Sequence, residues 1–248
     1  MEQHLWSTIA VFILGGIVKG ASGIGLPQVT TPILANFAGV AFAVVVVSIP
    51  VLLTNAVQAF QGGYFKTSLR RFGFLAFFSV LGTLIGTKAL ASFSGSVLFL
   101  ILGVALLIFI AYSLLRPSFR IPLHHEVRYA PWIGLVAGVL GGMTSISAPP
   151  LVMYLYCLGL TKEEFVSGIS LIYVLSTIAR IGGLVATGLL TQKLFVLSLL
   201  VCIPTALGFV VGQWVLKRVD QKVFFRFILV LLFFLAVIML RRGLSAIL

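Results

Sequence analysis

The longest stretch of this chain without an Asp, Glu, Lys or Arg runs for 46 residues, from 20 to 65. Three further uncharged, apolar stretches cover residues 89–115, 129–161 and 194–216. One membrane-spanning helix takes about 20 residues, so the longest stretches hold two segments each. Apolar and polar residues do not alternate in them as they would in a transmembrane barrel. The sequence therefore predicts an all-α, polytopic transmembrane bundle of about 8–10 segments.

Charge is sparse and lies between the apolar stretches. Charged residues make up 9% of the chain, against about 25% in an average globular protein. The net charge of +12 does not form a patch that would bind nucleic acid, because the cations lie in short connections. These cations are Lys66, Arg70 and Arg71, then Arg116, Arg120 and Arg128, then Lys217, Arg218 and Lys222. Such placement is typical of the cytoplasmic loops of a membrane protein. The predicted partner is therefore the lipid bilayer, and nucleic acid is excluded.

A cluster of helix-breaking residues occurs twice. The letters GASGIGLP at 20–27 are followed 122 residues later by GMTSISAP at 142–149. Matching breaks in two halves are typical of transporters built from repeats, with the substrate site between the halves. We predict a first transmembrane repeat at 1–116, a cytoplasmic linker at 117–130 and a second repeat at 131–248.

The loop charges predict that the two repeats are inverted. Each repeat reads as a broken element, at about 5–38 and 131–160, followed by three helices. The three are expected at about 40–62, 72–91 and 95–116, and at about 164–188, 193–216 and 222–241. The connection at 63–71 carries three cations, whereas its equivalent at 188–193 carries only Lys193, and the next pair of loops reverses this pattern. Equivalent loops then lie on opposite sides, although Arg241 and Arg242 argue against inversion.

The breaks themselves predict an anion site. A helix interrupted at membrane depth leaves N–H groups and a positive dipole end that favour an anion. Close packing of small residues between helices is the alternative. The expected break residues are Gly20, Pro27, Gly142, Pro149 and Pro150, and the expected substrate contacts on the two motifs are Ser22, Gly23, Gly25, Gln28, Thr144, Ser145 and Ser147.

Two cations and two amides complete the predicted site. Lys19 directly precedes the first motif, and Arg180 interrupts the uncharged run from 165 to 192. A charge at membrane depth usually faces a cavity or a partner, although a side chain can also snorkel to the headgroups. Asn55 and Gln58 lie one helical turn apart, so they line either a polar cavity or an interhelical contact. We predict Arg180 to be the strongest cationic contact of the substrate.

The acids limit the chemistry. All five, Glu2, Glu126, Glu163, Glu164 and Asp220, fall in predicted terminal or loop regions. No metal site, cofactor, catalytic centre or carboxylate proton relay is therefore expected in the membrane. A facilitator of anions, driven by the membrane potential, fits this inventory.

Both Gly-rich motifs resemble the sulfite exporter TauE/SafE family of bacterial transporters. The resemblance rests on GGIVKGASGIGLP at 15–27, on GLVAGVLGGMTSISAPP at 134–150 and on a length of about 250 residues. It implies a multi-pass protein of the inner (plasma) membrane that moves sulfite or organosulfonates, usually outward. A non-transporting membrane scaffold is the alternative, and a homo-oligomer is possible.

Overall fold

The computed structural model describes residues 5–115, 122–215 and 221–245. These residues form eleven α-helices and a short 3-10 turn at Gln61–Gly63. The first half contains α1 (Leu5–Ser22), α2 (Leu26–Ala38), α3 (Val40–Phe60), α4 (Phe65–Ser92) and α5 (Gly95–Leu115). The second half contains α6 (Leu123–Thr144), α7 (Ala148–Cys157), α8 (Lys162–Ala186), α9 (Gln192–Leu200), α10 (Cys202–Val215) and α11 (Gln221–Ser245). The predicted polytopic helical bundle is confirmed.

Six of these segments are long and apolar enough to cross a membrane. They are α3, α4, α5, α8, α11 and the pair α9–α10, which act as one segment. α9 and α10 are separated only by Val201. Pro204 accounts for this interruption, because proline has no N–H to donate to the carbonyl four residues earlier.

The two broken elements are helical hairpins. In the first, α2 folds back on α1, so that a Cβ added at Gly15 would meet Thr30 and Leu26. In the second, α7 folds back on α6, and the Tyr154 hydroxyl donates to the carbonyl of Glu126 at 2.7 Å. Each hairpin therefore enters and leaves the bundle on the same side, with its break at the tip. The sequence left open whether these elements cross the membrane twice or re-enter, and the hairpin geometry fits re-entry.

Equivalent helices of the two halves pack antiparallel. α3 contacts α8 through Ser48 and Arg180 near one end of the interface and through Gln58 and Ser170 near the other. From the first contact to the second, residue numbers rise along α3 and fall along α8, so the two helices run in opposite directions. Ser48 is equivalent to Ser170, and Gln58 to Arg180, so the two contacts are related by exchange of the halves. A two-fold axis perpendicular to the helices produces this arrangement, which is the geometry of inverted repeats.

Glycines lock each hairpin onto a helix of the other half. α1 packs along α10, where a Cβ on Gly16 or Gly20 would lie 2.4 or 2.1 Å from a backbone oxygen of α10. α6 packs along α4 in the same manner, with distances of 2.1 Å at Gly138 and 2.4 Å at Gly142. Such spacing lets two helix backbones touch. Each hairpin is thereby joined to the opposite repeat.

A proline inside α3 is compensated by a serine of α9. Pro50 cannot donate to the carbonyl of Val46, which would be left unpaired in the interior. The Ser198 hydroxyl donates to this oxygen at 2.7 Å. Ser198 is fully buried, so the contact connects α3 to α9 in the core.

Helix boundaries differ from the predicted ones mainly at the charged end of the bundle. α4 begins at Phe65 and α6 at Leu123, so both helices extend into segments predicted as connections. Their charges pair there, since the Arg71 guanidinium donates to both carboxylate oxygens of Glu126 at 3.0 and 3.1 Å. Several predicted loop charges, Glu2, Arg116, Arg120, Lys217, Arg218 and Asp220, lie outside the described residues.

Candidate functional site

The helix breaks fall at equivalent positions and share one backbone feature. Residues 23–25 separate α1 from α2, and residues 145–147 separate α6 from α7. Gly23 and Ser145 both adopt the left-handed conformation, with φ of 76° and 63°. A non-glycine residue pays about 1 kcal/mol for this conformation. The second half thus places a hydroxyl-bearing side chain at a strained tip where the first half has none.

The Ser22 and Thr144 hydroxyls form hydrogen bonds to backbone groups at the two helix breaks. Thr144 donates to the carbonyl of Leu140 at 2.7 Å and accepts from the N–H of Ile146 at 3.1 Å. Ser22 makes the same pair of bonds in the first half, to Val18 and from Ile24, at 2.7 and 3.3 Å. In this conformation both predicted contacts stabilise the tips.

The prolines and glycines of the motifs have separate places. Pro27 lies in the first turn of α2, and Pro149 and Pro150 in the first turn of α7, where a missing N–H costs nothing. Gly20 and Gly142 lie inside α1 and α6, because each helix continues two residues beyond its glycine. Their contacts are with α10 and α4.

Lys19 is buried at the tip of the first hairpin, with 1% of its surface exposed. Its ammonium donates to the carbonyl of Gly23 and to the Asn55 side-chain oxygen, both at 2.7 Å. The Gly23 carbonyl lies just past the end of α1, where a cation is favoured by the helix dipole. Lys19 therefore connects the tip to α3.

Arg180 is buried between α8, α3 and the second hairpin. Its Nε donates to the Ser48 hydroxyl at 3.2 Å, and its Nη1 donates to the carbonyl of Gly141 at 3.1 Å. Its Nη2 has no hydrogen-bond partner among the described residues. The one ion pair found in the described part of the chain, Arg71–Glu126, lies elsewhere. The guanidinium is a buried cation with a free donor.

Further unpartnered polar atoms lie around Arg180. Both side-chain polar atoms of Gln28, the Ser145 hydroxyl and the Tyr173 hydroxyl are buried without a well-formed hydrogen bond to any described residue. Tyr173 lies beside Gln28, Ser147 and Arg180. Gln28 follows the first break and Ser147 belongs to the second. We call Gln28, Ser145, Ser147, Tyr173 and Arg180 the central polar cluster, in which side chains from the two hairpins meet α8.

Gln58, the repeat equivalent of Arg180, lies away from this cluster. Its side-chain oxygen accepts from the Ser170 hydroxyl at 3.4 Å. Ser48 and Gln58 are ten residues apart on α3, which corresponds to about 15 Å along the helix axis. The cation is therefore present at only one of the two equivalent positions.

Sequence reasoning missed Tyr173. An aromatic residue within an apolar run is usually part of the core, and the equivalent residue in the first half is the buried Val51. The available signal was spacing, since Tyr173 precedes Arg180 by two helical turns and faces the same side of α8.

The acids lie apart from the central polar cluster where the structure describes them. Glu163 and Glu164 lie in the first turn of α8, and Glu164 completes a capping box with Thr161. No group of three His, Cys, Asp or Glu side chains that could hold a metal occurs among the described residues.

Beside the first break lies a cavity of about 20 Å³, lined by Ser22, Gly25 and Gln28 among others. This space accepts about one water molecule.

Comparison with known proteins identifies the family. No curated protein and no solved structure matches the chain. The family model described as sulfite exporter TauE/SafE matches residues 8–239 of the 248 in the chain. Members are membrane transporters of sulfite-type anions, which agrees with the apolar helices. The chain belongs to the sulfite exporter TauE/SafE family.

Proposed function

We propose that this protein carries sulfite or small organosulfonates outward across the inner (plasma) membrane and binds them at the central polar cluster. The observation that carries the proposal is the buried Arg180 guanidinium, which has a free N–H donor and no carboxylate partner among the described residues. Burying an ion without a counter-charge costs several kcal/mol. A bound anion supplies the missing counter-charge.

Neutral donors extend the proposed site. The Gln28 amide and the Ser145 hydroxyl are buried and unpartnered, and Ser147 lies on the second tip. Hydrogen bonds that involve a charged group contribute about 1.5–3 kcal/mol each, more than neutral ones. The breaks therefore contribute polar side chains as well as backbone N–H groups.

The remaining predicted contacts take part when the tips open. Lys19, Ser22, Asn55 and Thr144 are hydrogen-bonded within the protein in the present conformation. Gly23 and Gly25 offer backbone N–H groups, and Gln58 offers an amide at the opposite end of α3. These residues would meet the anion on its way from one side of the membrane to the other.

Alternating access follows from inverted repeats. Rocking one unit against the other closes the path on one side while it opens the path on the other. The membrane potential favours outward movement of a monovalent anion by about 2.3 kcal/mol per 100 mV. No proton carrier is needed for this direction.

A ligand panel on the purified protein tests the proposal. Sulfite, thiosulfate, sulfoacetate and taurine are compared with sulfate and a neutral sugar by thermal shift. A ligand at 100 times its dissociation constant stabilises the protein by about 2.7 kcal/mol. We expect stabilisation by at least one sulfite-type or sulfonate anion and its loss in Arg180→Gln. No shift with any anion would contradict the proposal and favour a non-transporting scaffold.

A further inference from the structure

The hydroxyl of Tyr173 makes only loose polar contacts, with Gln28 and Ser147. The residue is buried, with 5% of its surface exposed, and its oxygen makes no well-formed hydrogen bond to a described residue, although Gln28 and Ser147 lie near it. Buried polar groups in folded proteins nearly always have a partner. A buried hydroxyl without a well-formed hydrogen bond therefore indicates a place for a ligand oxygen that this conformation does not hold.

The surroundings of Tyr173 combine three parts of the molecule. Gln28 comes from the first hairpin, Ser147 from the tip of the second, and Arg180 from α8 itself. Arg180 and Gln28 each have an unpartnered nitrogen. Three donors, the Tyr173 O–H and these two N–H groups, thus belong to one cluster.

The first half shows that packing does not require this hydroxyl. Val51 occupies the equivalent position on α3 and is 1% exposed. An apolar side chain fills that place in the inverted copy of the same fold. The Tyr173 hydroxyl therefore occurs only in the second half of the chain, which also carries Arg180.

We propose that Tyr173 determines substrate specificity by donating a hydrogen bond to an anionic group that has three oxygens. Its hydroxyl donates to one oxygen, while Arg180 and Gln28 donate to the other two. A sulfonate or sulfite presents three acceptor oxygens on one centre, whereas a carboxylate presents two and a halide none. This inference rests on the proposed function and names the chemistry that the same site distinguishes.

The test compares two tyrosines that differ only in what their hydroxyls do. Tyr173→Phe removes a hydroxyl without a well-formed hydrogen bond, and Tyr154→Phe removes one that donates to the Glu126 carbonyl at 2.7 Å. For both variants and the wild type, calorimetry measures dissociation constants for methanesulfonate and acetate, and thermal unfolding measures stability. These probes share a methyl group and differ in the number of oxygens.

In Tyr173→Phe we expect methanesulfonate to bind at least 10-fold more weakly, acetate to change less than 3-fold, and the unfolding temperature to stay the same or rise. In Tyr154→Phe we expect the unfolding temperature to fall and both dissociation constants to stay unchanged. Tyr173→Leu, a second variant without the hydroxyl, should reproduce the loss of discrimination if Tyr173→Phe does not fold.

Equal methanesulfonate affinity in wild type and a folded Tyr173 variant would overturn the inference and leave the proposed function intact. Equal losses of affinity for methanesulfonate and acetate would also overturn it, because the hydroxyl would then not distinguish a group with three oxygens from one with two. Failure of the wild type to bind any sulfur oxyanion would instead contradict the proposed function.

Discussion

Arg180 illustrates what a single residue in this sequence reveals. A lone cation in a long apolar run predicts a cavity or a partner, and the structure places it with a free donor against α3 and the second hairpin. Tyr173 was harder to predict, because tyrosine is common in cores and its spacing from Arg180 is a weak signal without the structure. Ser22 and Thr144 show the reverse, since their local hydrogen bonds depend on a tip geometry that composition does not specify.

Arg180→Gln should weaken anion binding by about 1.5–3 kcal/mol, the range for hydrogen bonds to charged groups. The variant should fold, because glutamine occupies the equivalent position 58 in the first half. Calorimetry with methanesulfonate measures the change. Arg71→Gln is the matched control, since it breaks the ion pair with Glu126 and leaves the central polar cluster intact. Equal affinity in folded Arg180→Gln would remove Arg180 from the site.

The helices as elements were largely predictable from apolar runs, breaks and loop charges. Their partners were not, because pairing of α1 with α10 depends on the register of glycines that are far apart in the chain. The repeat of Gly82 and Gly86 at Gly208 and Gly212 was visible in the sequence, but nothing local identified the facing backbone.

Two glycines of α4 should respond oppositely to alanine. A Cβ at Gly86 would lie 2.2 Å from the carbonyl oxygen of Val139, so Gly86→Ala should destabilise the protein by about 1–3 kcal/mol. Gly73 has nothing within 4 Å of such a Cβ, and Gly73→Ala should stabilise the helix by about 0.5–1 kcal/mol. Unfolding in detergent measures both, and effects of the same sign would contradict the proposed close packing of α4 against α6.

Ser198→Ala should cost about 1–3 kcal/mol, because it leaves the Val46 carbonyl without a donor in the core. Ser113→Ala is the control, since the Ser113 hydroxyl donates to Phe109 within its own helix, which contains no proline. Comparable unfolding free energies for the two variants would show that Ser198 does not compensate Pro50.

For the whole molecule, inversion of the repeats was predicted from loop charges and agrees with the antiparallel packing of α3 and α8. Of the two cations at the end of α11 that argued against it, Arg242 has local partners. Arg242 donates to the carbonyl of Asn36 at 2.7 Å and lies over the Phe99 ring. Such anchoring would hold this cation in place on the side that inversion assigns to it. The interlocked hairpins could not be predicted, because they depend on contacts between repeats.

Cysteine accessibility tests the inverted topology directly. Gln61 and Gln192 are exposed and follow the equivalent helices α3 and α8. Inversion places them on opposite sides of the membrane, so a membrane-impermeant thiol reagent should label only one of Gln61→Cys and Gln192→Cys in intact cells. The background variant replaces the native Cys157 and Cys202. Labelling of both from the same side would contradict inversion.

The central claim is that the protein moves sulfur oxyanions by way of the central polar cluster, driven by the membrane potential. The direct measurement is flux of methanesulfonate in proteoliposomes under a potassium-diffusion potential, with equal pH on both sides. We predict that the flux follows the potential and that it is lost in Arg180→Gln. At equilibrium, the ratio of anion concentrations on the two sides should change about tenfold for each 1.4 kcal/mol that the potential supplies. Flux that ignores the potential but follows an imposed pH gradient, or that persists unchanged in Arg180→Gln, would contradict the account.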